Sequence, residues 1–423
     1  MTFINRIVYY QLKQHLDKPE LSVILGPRQS GKTTVIRKIQ DDLEKEGLPT
    51  VSLNLDIIED RVFFTSQHTL LDYIEKKAGK RKVYVFIDEI SRLVNAGLFL
   101  KGLYDLKRDH KFIITGSGSL ELKADIIEPL TGRKKVFYCF PLSFTEFAAY
   151  KLQIRTNVFD HMYSEATRIL ITQTYVRKRL IQEYLHFGGY PRVALAQTIE
   201  EKTDVLKELY SSYIEKDIRL LLKVDREQAF TNLIRVLAGQ VGNIVNRAEL
   251  ASTLGVTQTT IEKYLYLLEK TFVIGLVRPF YTNVRKELVK SPKVYFIDPG
   301  FLHIAQGILP GLEKQITGNV FENACWLRLT ELNPLQPLQF WRTKSGAEVD
   351  FVMISQHTGK PMPVETKLSL RKNMGKSLLS FIEKYQPDEG YLYYLEGDHE
   401  DDRQVKNSVI HFLPYHSLPG KIV

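Results

Sequence analysis

Gly26, Pro27, Arg28, Gln29, Ser30, Gly31, Lys32 and Thr33 fit the spacing G-x-x-x-x-G-K-[ST] without a mismatch. Glycines at both ends of such a loop let backbone N–H groups turn inward around phosphate oxygens. A helix starting near Lys32 would add the positive end of its dipole. Lys32 is expected to reach the β- and γ-phosphates of ATP, and the Thr33 hydroxyl to bind Mg²⁺. Downstream, Val83, Tyr84, Val85, Phe86, Ile87, Asp88 and Glu89 form an apolar run ending in two acids. Asp88 suits the Mg²⁺ shell, and Glu89 suits the orientation or deprotonation of an attacking water. The pair implies hydrolysis as well as binding. Gly26, Gln29, Ser30, Gly31, Lys32, Thr33 and Thr34 are therefore candidate nucleotide ligands together with Asp88. Ser117, after the run Lys111 to Thr115, is a candidate γ-phosphate sensor. Arg133 is a candidate transition-state cation, in cis or toward a neighbouring copy.

A second group of reactive types lies near the other end. Asp350 falls in an apolar strand pattern over Glu348 to Ile354, and Glu365, Thr366 and Lys367 end the next one. Alternation puts Glu365 and Lys367 on one face, and a short hairpin brings Asp350 beside them. Two carboxylates and a lysine so placed could hold a divalent metal and address a scissile phosphate, with Glu322 as a candidate third acid. An isolated E-x-K would read as a strand-end salt bridge. The helix and strand order around this one favours a nuclease-type fold.

The elements that must position these groups follow from hydrophobic patterning. Leu21 to Leu25, Thr50 to Leu55, Val83 to Ile87, Phe112 to Thr115 and Val136 to Phe140 are short continuous apolar runs separated by helix-length segments, the pattern of buried parallel strands in an α/β sheet. From about Ser143 to Val224 the spacing is helical, broken by the turn signal Gly188, Gly189, Tyr190, Pro191. Helices expected over Glu227 to Ala238, Arg247 to Leu254 and Gln258 to Lys270, followed by strands over Phe272 to Val277 and Lys293 to Ile297, outline a winged helix-turn-helix. Arg278, Arg285, Lys286, Lys290 and Lys293 make its wing basic, with Glu287 as the one acid among them, so the wing is expected to contact DNA phosphates. The tail reads as a small α/β domain: helix, three strands, helix, strand. The expected domains are 1–142, 143–224, 225–300 and 301–423.

Across 423 residues, 44% are hydrophobic, enough for about three cores, and the net charge of +9 suits a polyanionic partner without establishing one. Cys139 and Cys325 sit in apolar segments and read as core thiols. No apolar run reaches the ~18 to 20 residues of a membrane span, so a water-soluble, cytoplasmic chain without a membrane partner is expected.

Together these residues resemble a widespread prokaryotic family of ATP-binding proteins with an AAA-type front half and a PD-(D/E)XK-like C-terminal domain. The likeness rests on GPRQSGKTT (Gly26 to Thr34), FIDEI (Phe86 to Ile90), ITGSGS (Ile114 to Ser119), LTGR (Leu130 to Arg133), PLSFTEF (Pro141 to Phe147) and GGYP (Gly188 to Pro191). It continues in KVYFIDPG (Lys293 to Gly300), GNVFEN (Gly318 to Asn323), WRTKSGAEVDF (Trp341 to Phe351) and VETK (Val364 to Lys367). It implies an α/β fold in which an AAA-type parallel sheet is joined through a helical connector and winged helix to a restriction-endonuclease-like α/β domain. It places Lys32, Thr33, Asp88 and Glu89 in an ATP site, and Glu322, Asp350, Glu365 and Lys367 in a nuclease-like site. Thr366 stands where the family more often has an aliphatic residue. Relatives of AAA type often form rings, which makes a second copy of the chain a candidate partner.

Overall fold

The computed structural model describes residues 3–79, 81–117, 129–154, 159–214, 226–281, 291–309, 311, 314–332, 338–370 and 374–417. Its first sheet holds β1 (Leu21–Gly26), β2 (Thr50–Asn54), β3 (Val83–Asp88), β4 (His110–Ser117) and β5 (Lys134–Tyr138), in the order β2-β3-β4-β1-β5. All four pairings are parallel. Every residue of β1 and β3 is buried, as expected of strands covered on both faces. One face packs Val35, Ile36, Ile39 and Leu43 of the helix Lys32–Lys45 against Ile24 and Phe86. The other packs Leu70, Leu71 and Ile74 of the helix Gln67–Ala78 against Val23, Val85 and Ile87.

A second, continuous core runs from Leu142 to Tyr415. It takes in the connector helices, beginning with Phe144–Lys151, whose first turn is closed by a reciprocal capping box of Ser143 and Glu146. It also takes in the helices Glu227–Gly239, Arg247–Leu254 and Gln258–Lys270. The first of these buries Phe230, Leu233, Ile234 and Leu237 at three- and four-residue spacing, and Phe230 meets Tyr264 of the third edge-on at 4.9 Å between centroids.

The strands that follow are β6 (Ile274–Pro279), β7 (Lys293–Phe296), β8 (Gln339–Arg342), β9 (Glu348–Ile354), β10 (Pro361–Ser369), β11 (Glu389–Glu396), β12 (Asp401–Val405) and β13 (Ser408–Pro414). They form one eight-stranded sheet, β12-β13-β11-β10-β9-β8-β6-β7. β6 and β7 are the antiparallel pair expected of the wing, but β6 also runs parallel to β8 through Arg278 and Gln339. The sheet thus crosses the expected boundary at residue 300. The physical reason is edge protection: a two-stranded ribbon is marginal alone, and pairing with β8 satisfies the open side of β6. The tail also carries β12 and β13 beyond the expected strands.

Candidate nucleotide site and C-terminal acid cluster

The phosphate-binding loop occupies the end of β1 and the start of the helix Lys32–Lys45. Gln29 (φ 59°) and Gly31 (φ 98°) both lie in the left-handed region, which turns successive N–H groups to one side. Gly31 also faces the Arg6 guanidinium, where an added Cβ would sit 3.3 Å from Nη1. Lys32 is buried and its ammonium donates to the carbonyls of Gly26 (3.0 Å) and Pro27 (2.7 Å) inside the loop. Burial lowers its pKa from the ordinary lysine value, with Asp88 and Glu89 pulling the other way.

Thr33 Oγ1 donates to Asp88 Oδ2 at 2.9 Å, so the two expected Mg²⁺ ligands, 55 residues apart, meet. Two oxygens of these types beside a buried ammonium fit a magnesium-bound triphosphate. Glu89 begins the turn after β3 with φ 54°, its N–H 3.3 Å from Thr115 Oγ1. The Thr115 hydroxyl also donates to Asp88 Oδ1. Thr115 therefore touches both acids, a role that no local sequence pattern marks and that the expectation for Ser117 passed over by two positions. The Ser117 backbone pairs with Gly26 at this end of the sheet, and its side chain lies outside the described residues. Gln29, Lys32, Thr33, Thr34, Glu89 and Arg192 are among the walls of a cleft of about 590 Å³, a volume suited to a nucleotide.

The position of Arg133 bears on the role in cis alone. Its carbonyl accepts from Leu21 N, at the start of β1, and its guanidinium pairs with Asp105 (Nε to Oδ1 2.8 Å). The loop leaves the opposite end of that strand, about 17 Å away at 3.3 Å per residue, so Arg133 does not reach this chain's own phosphates.

Two further groups hold the loop and were not evident as functional. Buried Arg6 donates from Nη1 to Ser30 O (2.7 Å) and from Nη2 to Phe140 O (2.5 Å), and its Nε lies 3.2 Å from Glu146. On the far wall Gly188 and Gly189 precede Pro191 and Arg192. Gly188 adopts φ 75°, and a Cβ there would collide with the Asp298 carboxylate. Gly189 N donates to Asp298 Oδ2 at 2.7 Å, and Arg192 reaches Gln29 at 3.1 Å. Burial pushes the Asp298 carboxyl up to about 6 despite its backbone donors. Phe272, two residues past the helix Gln258–Lys270, packs into the first sheet's core edge-on to Phe140 at 5.7 Å, linking the helices after residue 226 to the front domain.

In the second sheet Asp350 Oδ2 accepts from Thr366 N (2.7 Å) and Thr366 Oγ1 (2.8 Å). Lys367 Nζ lies 2.6 Å from Glu365 Oε1, whereas Glu365 Oε2 is buried without a hydrogen-bond partner in the structure. Burial first, and the nearby Asp350 charge second, raise the pKa of both Glu322 and Glu365. Asp350, Glu365 and Lys367 are thus together. An orphaned carboxylate oxygen beside a second acid fits a divalent cation bound by two carboxylates.

Glu322 lies near enough to Asp350 for that charge to raise its pKa, and its Oε1 is taken by Lys293 Nζ (3.1 Å) and Tyr295 OH (2.5 Å). Among the described residues no three His, Cys, Asp or Glu side chains gather as metal ligands. Lys293, expected as a phosphate contact of the wing, is 1% exposed and pairs with Glu322 and with Glu348 (2.6 Å). Burial disfavours its charge, but Glu322, Asp350 and Glu348 outweigh that and raise its pKa. Of the other wing residues, Arg278 is exposed on β6, and Arg285, Lys286 and Lys290 lie outside the described residues.

Residues 18–148 match the family described as an AAA domain. Residues 178–311 match a domain of unknown function (DUF8612), and residues 317–418 another (DUF4143). An uncharacterized protein of Haemophilus influenzae is 27% identical over 308 residues, 70% of this chain and 72% of its own length. One from Mycobacterium tuberculosis is 26% identical over 376 residues, 88% of this chain and 76% of its own. AMPPCP-bound DnaA from Aquifex aeolicus aligns at 12% identity and a TM-score of 0.27, covering 64% of this chain and 89% of that one, a score too low to establish a shared overall fold. The front of the chain is an AAA-type, ATPase-like P-loop domain, and no described helix is long and apolar enough to cross a membrane.

Proposed function

We propose that the chain is a Mg²⁺-dependent ATPase whose nucleotide state is passed to a DNA-contacting winged-helix segment and to a nuclease-like C-terminal domain. The single observation that carries the ATPase reading is the direct contact of Thr33 with Asp88 beside buried Lys32, at the mouth of a nucleotide-sized cleft. Lys32 would exchange its bonds to Gly26 and Pro27 for the β- and γ-phosphate oxygens. Thr33 and Asp88 would hold Mg²⁺, which when bound neutralises charge developing on the transferred phosphoryl group. Glu89 would orient the attacking water, with Thr115 fixing its backbone. Because Arg133 lies far from the loop of its own chain, a role for it would need a neighbouring copy.

Lys32→Ala should abolish ATP turnover, and Glu89→Gln should bind ATP while hydrolysing it at least about 100-fold more slowly, an effect on the order expected for loss of a catalytic base. Unchanged turnover in Lys32→Ala would overturn the reading.

Transmission is supported by Phe272 in the front core and by Arg192, which touches Gln29 of the loop and stands next to the Gly188–Gly189 turn held by Asp298. In the tail, Asp350 and Glu365 would hold one divalent ion, with Lys367 beside it. A second reading, in which this domain keeps its fold without cutting, is favoured by the engagement of Lys367 with Glu365 and of Glu322 with Lys293. Linear, circular and single-stranded DNA incubated with Mg²⁺ or Mn²⁺ decides between them. Cleavage abolished in Asp350→Ala supports the first, and no cleavage by the intact chain supports the second.

A further inference from the structure

Four carboxylates lie near one another beside the second sheet, though no three of them gather as ligands of one ion: Glu322 from the helix Gly318–Leu332, Glu348 and Asp350 from one face of β9, and Glu365 from β10. They divide into two pairs with different partners. Glu322 and Glu348 share the Lys293 ammonium, 3.1 Å from one and 2.6 Å from the other, and Tyr295 donates to the same Glu322 oxygen. This lysine does not come from the tail. It arrives on β7, the strand of the winged segment at the edge of the common sheet, and it is fully enclosed. Asp350 and Glu365 keep a different arrangement. Thr366 takes one oxygen of Asp350, Lys367 takes one oxygen of Glu365, and the other Glu365 oxygen is buried with no hydrogen-bond partner in the structure.

We propose that this cluster takes a single divalent cation, at Asp350 and Glu365, and that the Lys293 ammonium fills the place where a second would otherwise sit, between Glu322 and Glu348. The inference rests on the reading of Asp350 and Glu365 as metal ligands. Its physical basis is charge and space. An ammonium in contact with two carboxylates already meets their need for a cation, and a divalent ion brought to the same oxygens would face a like charge at contact distance in a poorly solvated site. Glu365 has a counter-ion in Lys367 at one oxygen only, and that lysine side chain is 41% exposed and able to swing aside, whereas the Lys293 side chain is 2% exposed and held in place. The winged segment therefore sets how many ions the tail can hold, through one residue.

The test is a count of Mn²⁺ per intact chain by electron paramagnetic resonance of the free ion, without nucleotide and in an Asp88→Asn background that silences the front site. One ion per chain is expected, falling to none in Asp350→Asn and rising to two in Lys293→Gln. Two ions with Lys293 in place would overturn the proposal, as would a count that stays at one in a folded Lys293→Gln. No ion at all would overturn the metal reading of Asp350 and Glu365 itself, a distinguishable failure. Should Lys293→Gln not fold, the Lys293-intact chain decides alone: the multiline spectrum of a coupled manganese pair sinks the proposal, and a single uncoupled ion supports it.

Discussion

At the scale of single residues, the front site depends on side chains that bridge distant positions. Thr115 shows this best, since its hydroxyl touches Asp88 and receives the Glu89 N–H. Thr115→Val keeps the volume and removes the hydroxyl. The variant should lose about 2 kcal/mol of stability, the scale of a buried hydrogen bond to a charged group. Turnover should fall at least about tenfold with ATP affinity nearly unchanged, because the residue would act on the acids rather than on the nucleotide. Steady-state kinetics beside equilibrium binding of ATP checks this, and an unaltered kcat would remove Thr115 from the machinery. The loop and the Asp88–Glu89 pair are legible in sequence because each is local, with fixed spacing on a strand followed by a turn. Lys293 is not. Nothing in Ser291, Pro292, Lys293, Val294 separates a solvated lysine from an enclosed one, and its partner Glu322 lies 29 positions on.

At the scale of elements, the join between the nucleotide domain and the rest is made by a few side chains. Phe272 is 6% exposed in the front core, although it follows the helix Gln258–Lys270, far along the chain from that sheet. Phe272→Ala should cost about 3 to 4 kcal/mol by leaving a cavity. A stability change of less than about 1 kcal/mol on denaturation would mean that the join is loose. Asp298 supplies the pH dependence. Its carboxyl is raised from an ordinary value of 3.8 to about 6 in the folded chain. The stability it contributes is therefore complete below about pH 4 and is lost as the pH climbs through 6. A difference of that size corresponds to about 3 kcal/mol. Relative to Asp298→Asn, the unaltered chain should lose that amount between about pH 4 and pH 6.5 in urea titrations, and parallel curves would refute the assignment. The helices Glu227–Gly239, Arg247–Leu254 and Gln258–Lys270 are close to their expected spans because each has a clear apolar face or cap. The pairing of β6 with β8 is hidden in the sequence, since nothing local marks which strand of a ribbon will find a partner about 60 residues later.

For the whole molecule, two sheets and their cores matter more than four sequence segments. The largest apolar core draws residues from the connector helices, the helices after residue 226 and the tail together, and β6 ties the segment before residue 300 to the tail. Calorimetry should show no more than two unfolding transitions, with ATP and Mg²⁺ moving the one that belongs to the front sheet upward by mass action. A separate melting step for residues 301–423 would contradict the common sheet. DNA affinity should fall steeply with salt, and replacing Arg278, Arg285 and Lys286 with alanine should reduce the slope by up to about 0.9 for each phosphate that is no longer neutralised. A slope indifferent to all three would place the DNA surface elsewhere.

The strand shared across residue 300 also governs how the protein tolerates being divided. A fragment ending there would keep β6 with its β8 flank bare, a row of amides and carbonyls ready to recruit any passing strand, and the liberated tail would be without both that neighbour and the lysine that quiets its acids. Such halves should clump or misreport their chemistry, so natural insertions and engineered fusions are best sought in the turns between β12 and β13 or between β9 and β10, where the ladder would stay whole.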